Sequence, residues 1–152
     1  MKRIILSFII LLAAQIGFAQ EEVVIEQNIN QRINELIVNP GWEVHLLHHE
    51  ADSGYRVAII TDEDLAARAY NVQLCNVKGD TLTILENTQL PQGTVVEVEG
   101  NMDFESVKLE ERAVVRANQF DLGHTYVEVY DDGRLCVDTI VGEGTQIGRA
   151  HV

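Results

Sequence analysis

The chain has 152 residues, 24 of them Asp or Glu against 11 Lys or Arg, for a formal net charge of −13; 46% of it is hydrophobic. That length fits one domain with a core of its own. The acid excess repels nucleic acid phosphates and anionic lipid headgroups, so neither is an expected partner.

The N-terminus reads as an export signal. Lys2 and Arg3 precede an apolar run from Ile4 to Ala14 that only Ser7 interrupts, and Gly17-Phe18-Ala19 places small residues where a signal peptidase reads. The run is shorter than the roughly 20 residues that span a bilayer. Cleavage is expected between Ala19 and Gln20. No Cys follows the cut, so no lipid anchor is indicated, and no later run is long enough to span a membrane. The mature chain would have 152 − 19 = 133 residues. Its 11 − 2 = 9 basic residues against 24 acids give a charge of −15. The expected location is the periplasm, the cell surface or the medium.

Residues Gln27 to Val38 approximate helical spacing through Ile29, Ile33, Leu36 and Ile37, although Leu36-Ile37-Val38 also begins a strand-like run. Asn39-Pro40-Gly41 is a turn signal. From there the pattern has period two: 42–46, 55–59, 70–74, 81–84, 96–99, 106–110, 115–118, 126–130 and 134–138 each alternate apolar and polar. Asp62 to Ala69 allows one helical turn. Asn, Asp and Gly clusters separate the runs, among them Lys78-Gly79-Asp80, Pro91-Gln92-Gly93 and Asp131-Asp132-Gly133. The last of these reads as a hairpin turn. Short strands at near-regular spacing predict an all-β sandwich, barrel or solenoid, and spacing alone does not choose among them.

The order of Ile33–Val38, Asn39-Pro40-Gly41, Trp42–Leu46, Tyr55-Arg56-Val57, Tyr70-Asn71-Val72, Lys78-Gly79-Asp80-Thr81-Leu82-Thr83-Ile84 and Phe104–Leu109 resembles the auto-transporter adhesin "head GIN" domain of secreted bacterial proteins. The resemblance runs from about Ile33 to Val137. It implies a right-handed, solenoid-like stack of short strands and an exported protein, and it names no ligand. A β-sandwich is the alternative.

The final residues read differently. Ile147-Gly148-Arg149-Ala150-His151-Val152 is the translation of ATC GGA AGA GCA CAC GTC, a string found in a common sequencing adapter. A chance match over six residues is on the order of one in ten million. Residues 147–152 are therefore expected to be adapter read-through, and residues 20–146 an incomplete single domain.

Candidate sites are sparse. His45, His48 and His49 cluster with Glu43 and Glu50, but without HExxH or paired helical spacing no metal site is expected. Asp62-Glu63-Asp64 and Asp131-Asp132 lack calcium-loop spacing. After Ser7 the only serines are Ser53 and Ser106, neither in GxSxG, so no catalytic residue is nominated. No nucleotide-binding fingerprint is present and no cofactor is implied. Cys75 and Cys136 form either a disulfide or two buried thiols. Thr81 and Thr139, in Asp80-Thr81-Leu82 and Asp138-Thr139-Ile140, match a bacterial O-glycosylation tripeptide. The expected function is a non-enzymatic interaction or adhesion-like module whose partner is a protein or glycan of the cell envelope. An enzyme acting on envelope polysaccharide and a structural envelope protein are the alternatives. Acids converging in one groove would favour the enzyme; acids scattered around the stack would favour the module.

Overall fold

The computed structural model describes residues 11–13, 22–49, 54–121, 125–141 and 146–149. Among these described residues, thirteen strands and one helix run in the order β1 (Leu11–Ala13), β2 (Glu22–Ile29), β3 (Glu35–Val38), β4 (Trp42–His48), β5 (Tyr55–Thr61), α1 (Glu63–Ala69), β6 (Cys75–Lys78), β7 (Thr81–Ile84), β8 (Thr94–Gly100), β9 (Ser106–Leu109), β10 (Val114–Asp121), β11 (Tyr126–Val129), β12 (Arg134–Val141) and β13 (Gln146–Arg149). They form two mixed sheets, with orders β1-β2-β5-β8-β4-β10-β12 and β13-β11-β9-β3-β7-β6. The all-β expectation holds at that level. Among the described residues no helix is long and apolar enough to cross a membrane, which says nothing of a β-barrel.

Alternation along each strand builds the core. Trp42, Val44 and Leu46 point inward from β4, and Leu36 and Val38 from β3. Val96 and Val98 of β8, Val107 and Leu109 of β9 and Val115 and Ala117 of β10 join them in one continuous cluster. The Trp42 indole would be an unpaired donor there, but it donates to the Leu85 carbonyl. Phe104 stacks on Tyr55 with ring centroids 5.6 Å apart.

Consecutive strands of the main stack do not pair with each other. β3 lies in one sheet and β4 in the other, and the same is true of β7 and β8, β9 and β10, and β11 and β12. Each strand pairs in parallel with its counterpart from another such pair: β3 with β7 and β9, β4 with β8 and β10. Later in the chain the register is periodic. Ser106 faces Tyr126, Val114 faces Arg134, and Tyr126 faces Gln146, each a step of twenty residues. The turn expected at Asp131-Asp132-Gly133 is accordingly a corner between sheets. Asp132 takes φ 58 there, Gly133 N–H donates to the Tyr130 carbonyl at 2.9 Å and Arg134 N–H to the Ala113 carbonyl at 2.8 Å. The preceding corner has the same form, with Arg112 at φ 55 and Ala113 N–H donating to Glu110.

The other corners are tied by side chains. Gly41 at φ 97 turns β3 into β4, and a Cβ there would lie 2.8 Å from the Asn87 carbonyl oxygen. Asn87 in turn donates through Nδ2 to the Gly41 carbonyl at 3.1 Å and accepts from Leu90 N–H at 2.9 Å.

Two sequence expectations are corrected. Gln27–Val38 is no helix: its first residues end β2, residues 30–34 form a loop, and β3 follows. β2 joins β5 in an antiparallel ladder from Val23↔Thr61 to Ile29↔Tyr55, which satisfies the backbone that a helix would have satisfied internally. Residues 70–74 keep alternate burial, with Val72 and Leu74 inside, but form no strand and pair with none among the described residues. The helical turn at Asp62 to Ala69 is α1.

Candidate functional site

The segment after α1 closes one end of the stack. Asp62 caps the helix by accepting from Leu65 N–H at 2.8 Å, and Val72 N–H turns back onto the Ala69 carbonyl at 2.8 Å. Residues 72–74 then drop Val72 and Leu74 into the core, and Leu74 is held by Leu85 N–H donating to its carbonyl at 2.9 Å. Opposite them stands β2, whose inward column is Val23, Ile25, Gln27 and Ile29. Between this column and residues 70–74 lies a cavity of about 270 Å³. Ile25, Glu26 and Gln27 line it on one side and residues 70–74 on the other, with Val72 and Leu74 buried and Tyr70 55% exposed.

Gln27 is the odd member of an apolar column. It is 4% exposed, and its side-chain amide forms no hydrogen bond with the described residues. Glu26, its neighbour, is engaged by Arg56, which also reaches Glu99 at 3.6 Å.

The residues singled out from the sequence are dispersed. His45 and Glu43 share a face of β4, as alternation requires, with Nε2 3.7 Å from Oε1. Arg116 donates to the same carboxylate at 2.6 Å and holds it below the usual carboxylate range. His48 accepts from Met102 N–H at 3.2 Å through Nδ1, and His49 is exposed. Glu50 and Ser53 lie outside the described residues, as do Ala19 and Gln20; within the expected tail, 147–149 belong to β13 and 150–152 lie outside. No group of three or more His, Cys, Asp or Glu is gathered as a metal site among the described residues. Asp62, Glu63 and Asp64 serve the first turn of α1. Ser106 begins β9, half-buried.

Cys75 is buried in β6 and Cys136 is exposed on β12, both as free thiols, so the disulfide weighed from the sequence is not formed. Four inter-strand spacings separate β6 from β11, the strand that leads into β12. At about 4.8 Å each that is far beyond the roughly 7 Å limit for a bridge. Thr81 is half-buried, with its hydroxyl 3.4 Å from Glu35 Oε2, and Thr139 is exposed.

Sequence reasoning passed over the cavity because the near-helical spacing of Ile29, Ile33, Leu36 and Ile37 left Gln27 unassigned to a strand. The available signal was Gln27 itself, a polar residue in an apolar period-two column.

No family model matches the chain, and no curated protein matches it. Solved structures do. One is described as a "putative adhesin" from Parabacteroides merdae, at 12% identity and TM-score 0.44, covering 82% of this chain and 58% of that one. A second "putative adhesin", from Parabacteroides distasonis, has 16% identity and TM-score 0.45, covering 84% and 63%. A "putative lipid binding protein" from the same species has 13% identity and TM-score 0.39, covering 84% and 66%. The chain thus spans about three fifths of the length of the first two.

Proposed function

We propose that the chain is an exported interaction module of the head GIN type, built as a right-handed solenoid-like stack and acting by surface contact with a protein or glycan of the cell envelope. The observation that carries this reading is the placement of the carboxylates. Glu43 pairs with Arg116, Glu26 and Glu99 with Arg56, and Glu110 with Lys108 at 3.2 Å. Glu128 accepts from Tyr130 at 2.7 Å and Asp80 from Asn34 at 2.9 Å. These acids are spread over both sheets; only Glu26 and Glu99 among them meet, and Arg56 stands between those two, which leaves no free carboxylate pair to flank a bond to be hydrolysed. The parallel ladders stepping by twenty residues support the solenoid-like reading, because they present side chains in regular rows. One row across the outer face runs Cys136, Arg116, His45, Glu97.

In this reading the leader is removed after Ala19. That removal takes away β1, which pairs antiparallel with β2 at Leu11↔Val24, and leaves β2 as the mature edge. The test is N-terminal sequencing and fractionation of the protein from its own cells. A mature chain starting at Gln20 in the envelope or medium is expected. A cytoplasmic product beginning at Met1 overturns the proposal.

A further inference from the structure

We infer that the cavity between β2 and residues 70–74 binds one neutral pyranose unit of a glycan. This deepens the interaction-module reading and rests on it. The cavity, about 270 Å³, has room for a single sugar ring and little more. It lies just below the roughly 300–1,000 Å³ of pockets that take drug-sized ligands.

The lining chooses the chemistry. Gln27 is held inside an apolar column with its amide unpartnered among the described residues. A primary amide offers a carbonyl acceptor and two N–H donors in one plane. Two vicinal ring hydroxyls match that set, one donating and the other accepting. Asn71 and Gln73, both exposed, also belong to the lining, and Gln73 donates to the Cys75 carbonyl at 3.2 Å. The C–H face of a pyranose is weakly positive and suits the apolar wall of Ile25 and Val72 and the π face of Tyr70. An acyl chain would fill the apolar wall but leave the Gln27 amide without a partner. Acidic sugars and fatty carboxylates would also approach Glu26 and a chain of net charge −13. A neutral, hydroxyl-rich ring satisfies every group.

The test is an amide-resolved NMR titration of the full exported chain with methyl α-D-mannopyranoside, methyl β-D-glucopyranoside and methyl β-D-galactopyranoside, with glucuronate and dodecanoate as contrasting probes. At least one neutral glycoside is expected to shift the resonances of residues 25–27 and 70–74 and to saturate in the millimolar range. Gln27→Leu, similar in volume and suited to its column, is expected to weaken that binding about tenfold. Tyr70→Ala, at an exposed position, is expected to weaken it several-fold. Silence from all three glycosides, binding unchanged by Gln27→Leu and Tyr70→Ala, or shifts with dodecanoate alone would overturn the inference. Capture of isolated envelope that survives both periodate oxidation of its glycans and Gln27→Leu would also overturn it, while leaving the interaction-module reading intact. A failure of export fails that parent reading instead, and the titration still decides the cavity.

Discussion

Cys75 and Tyr55 are acids whose ionised forms find little water. Burial pushes the Cys75 thiol from 9.0 up to about 12. Burial, then the nearby Asp103 carboxylate, pushes the Tyr55 hydroxyl from 10.0 up to about 12, and that hydroxyl donates to the Asn101 carbonyl at 2.9 Å. Both groups stay protonated in the folded chain over a range in which the unfolded chain has lost the proton. The unfolded state then binds fewer protons, so stability falls as pH rises. Below pH 9 neither group contributes a slope. Between about 9 and 12 both do, Cys75 first and Tyr55 from about 10. Thermal melts across this range are expected to show Tm flat to pH 9 and falling beyond it. Cys75→Ala is expected to delay the onset of the fall to near pH 10; an unchanged onset would show that another group sets it.

At the scale of elements, α1 is the least self-sufficient piece. It has seven residues, well short of what holds a helix alone in water, so it depends on its cap and on Ala69 packing into the core. Asp62→Ala is expected to cost about 1 kcal/mol, read by denaturant unfolding, with faster amide exchange confined to residues 63–69. Loss of protection throughout both sheets would mean that α1 supports more than the end of the stack. The sequence made α1 and most strands legible because Asp62 and the period-two runs act locally. Partner choice was not legible. Tyr126–Val129 and Arg134–Val141 alternate identically whether they pair with each other or with strands twenty residues away, so a corner was read as a hairpin. Residues 70–74 alternate because alternate side chains enter the core, and that demand exists without any ladder. β2 was obscured in another way: Ile29 ends the strand and Ile33 lies in the loop that follows, yet their spacing imitates one helical turn. The cavity inherits this ambiguity, since one wall is β2 and the other is 70–74.

Over the whole molecule the two sheets are ordered by register more than by chain proximity. β3 and β4 precede β7 and β8 in sequence but sit between that pair and β9 and β10 in space. Antiparallel β1, β2 and β5 finish the first sheet at one end, and antiparallel β6 finishes the second. At the other end, β13 continues the twenty-residue step and sets Arg149 opposite Val129, which itself sits opposite Leu109. A charged residue thus takes a register position that two apolar residues hold in the preceding turns. The constant step also determines which changes in length the gene tolerates. Excising residues 106–125 brings β11 and β12 into the places of β9 and β10 with every inward position still inward. That variant is expected to melt cooperatively at a lower temperature, whereas excising residues 106–116 shifts the pairing by an odd count and yields no cooperative transition. Inheritance can therefore lengthen or shorten this region only in multiples of about sixty bases, and a replication slip of that size is copied into the protein as one more or one fewer complete turn.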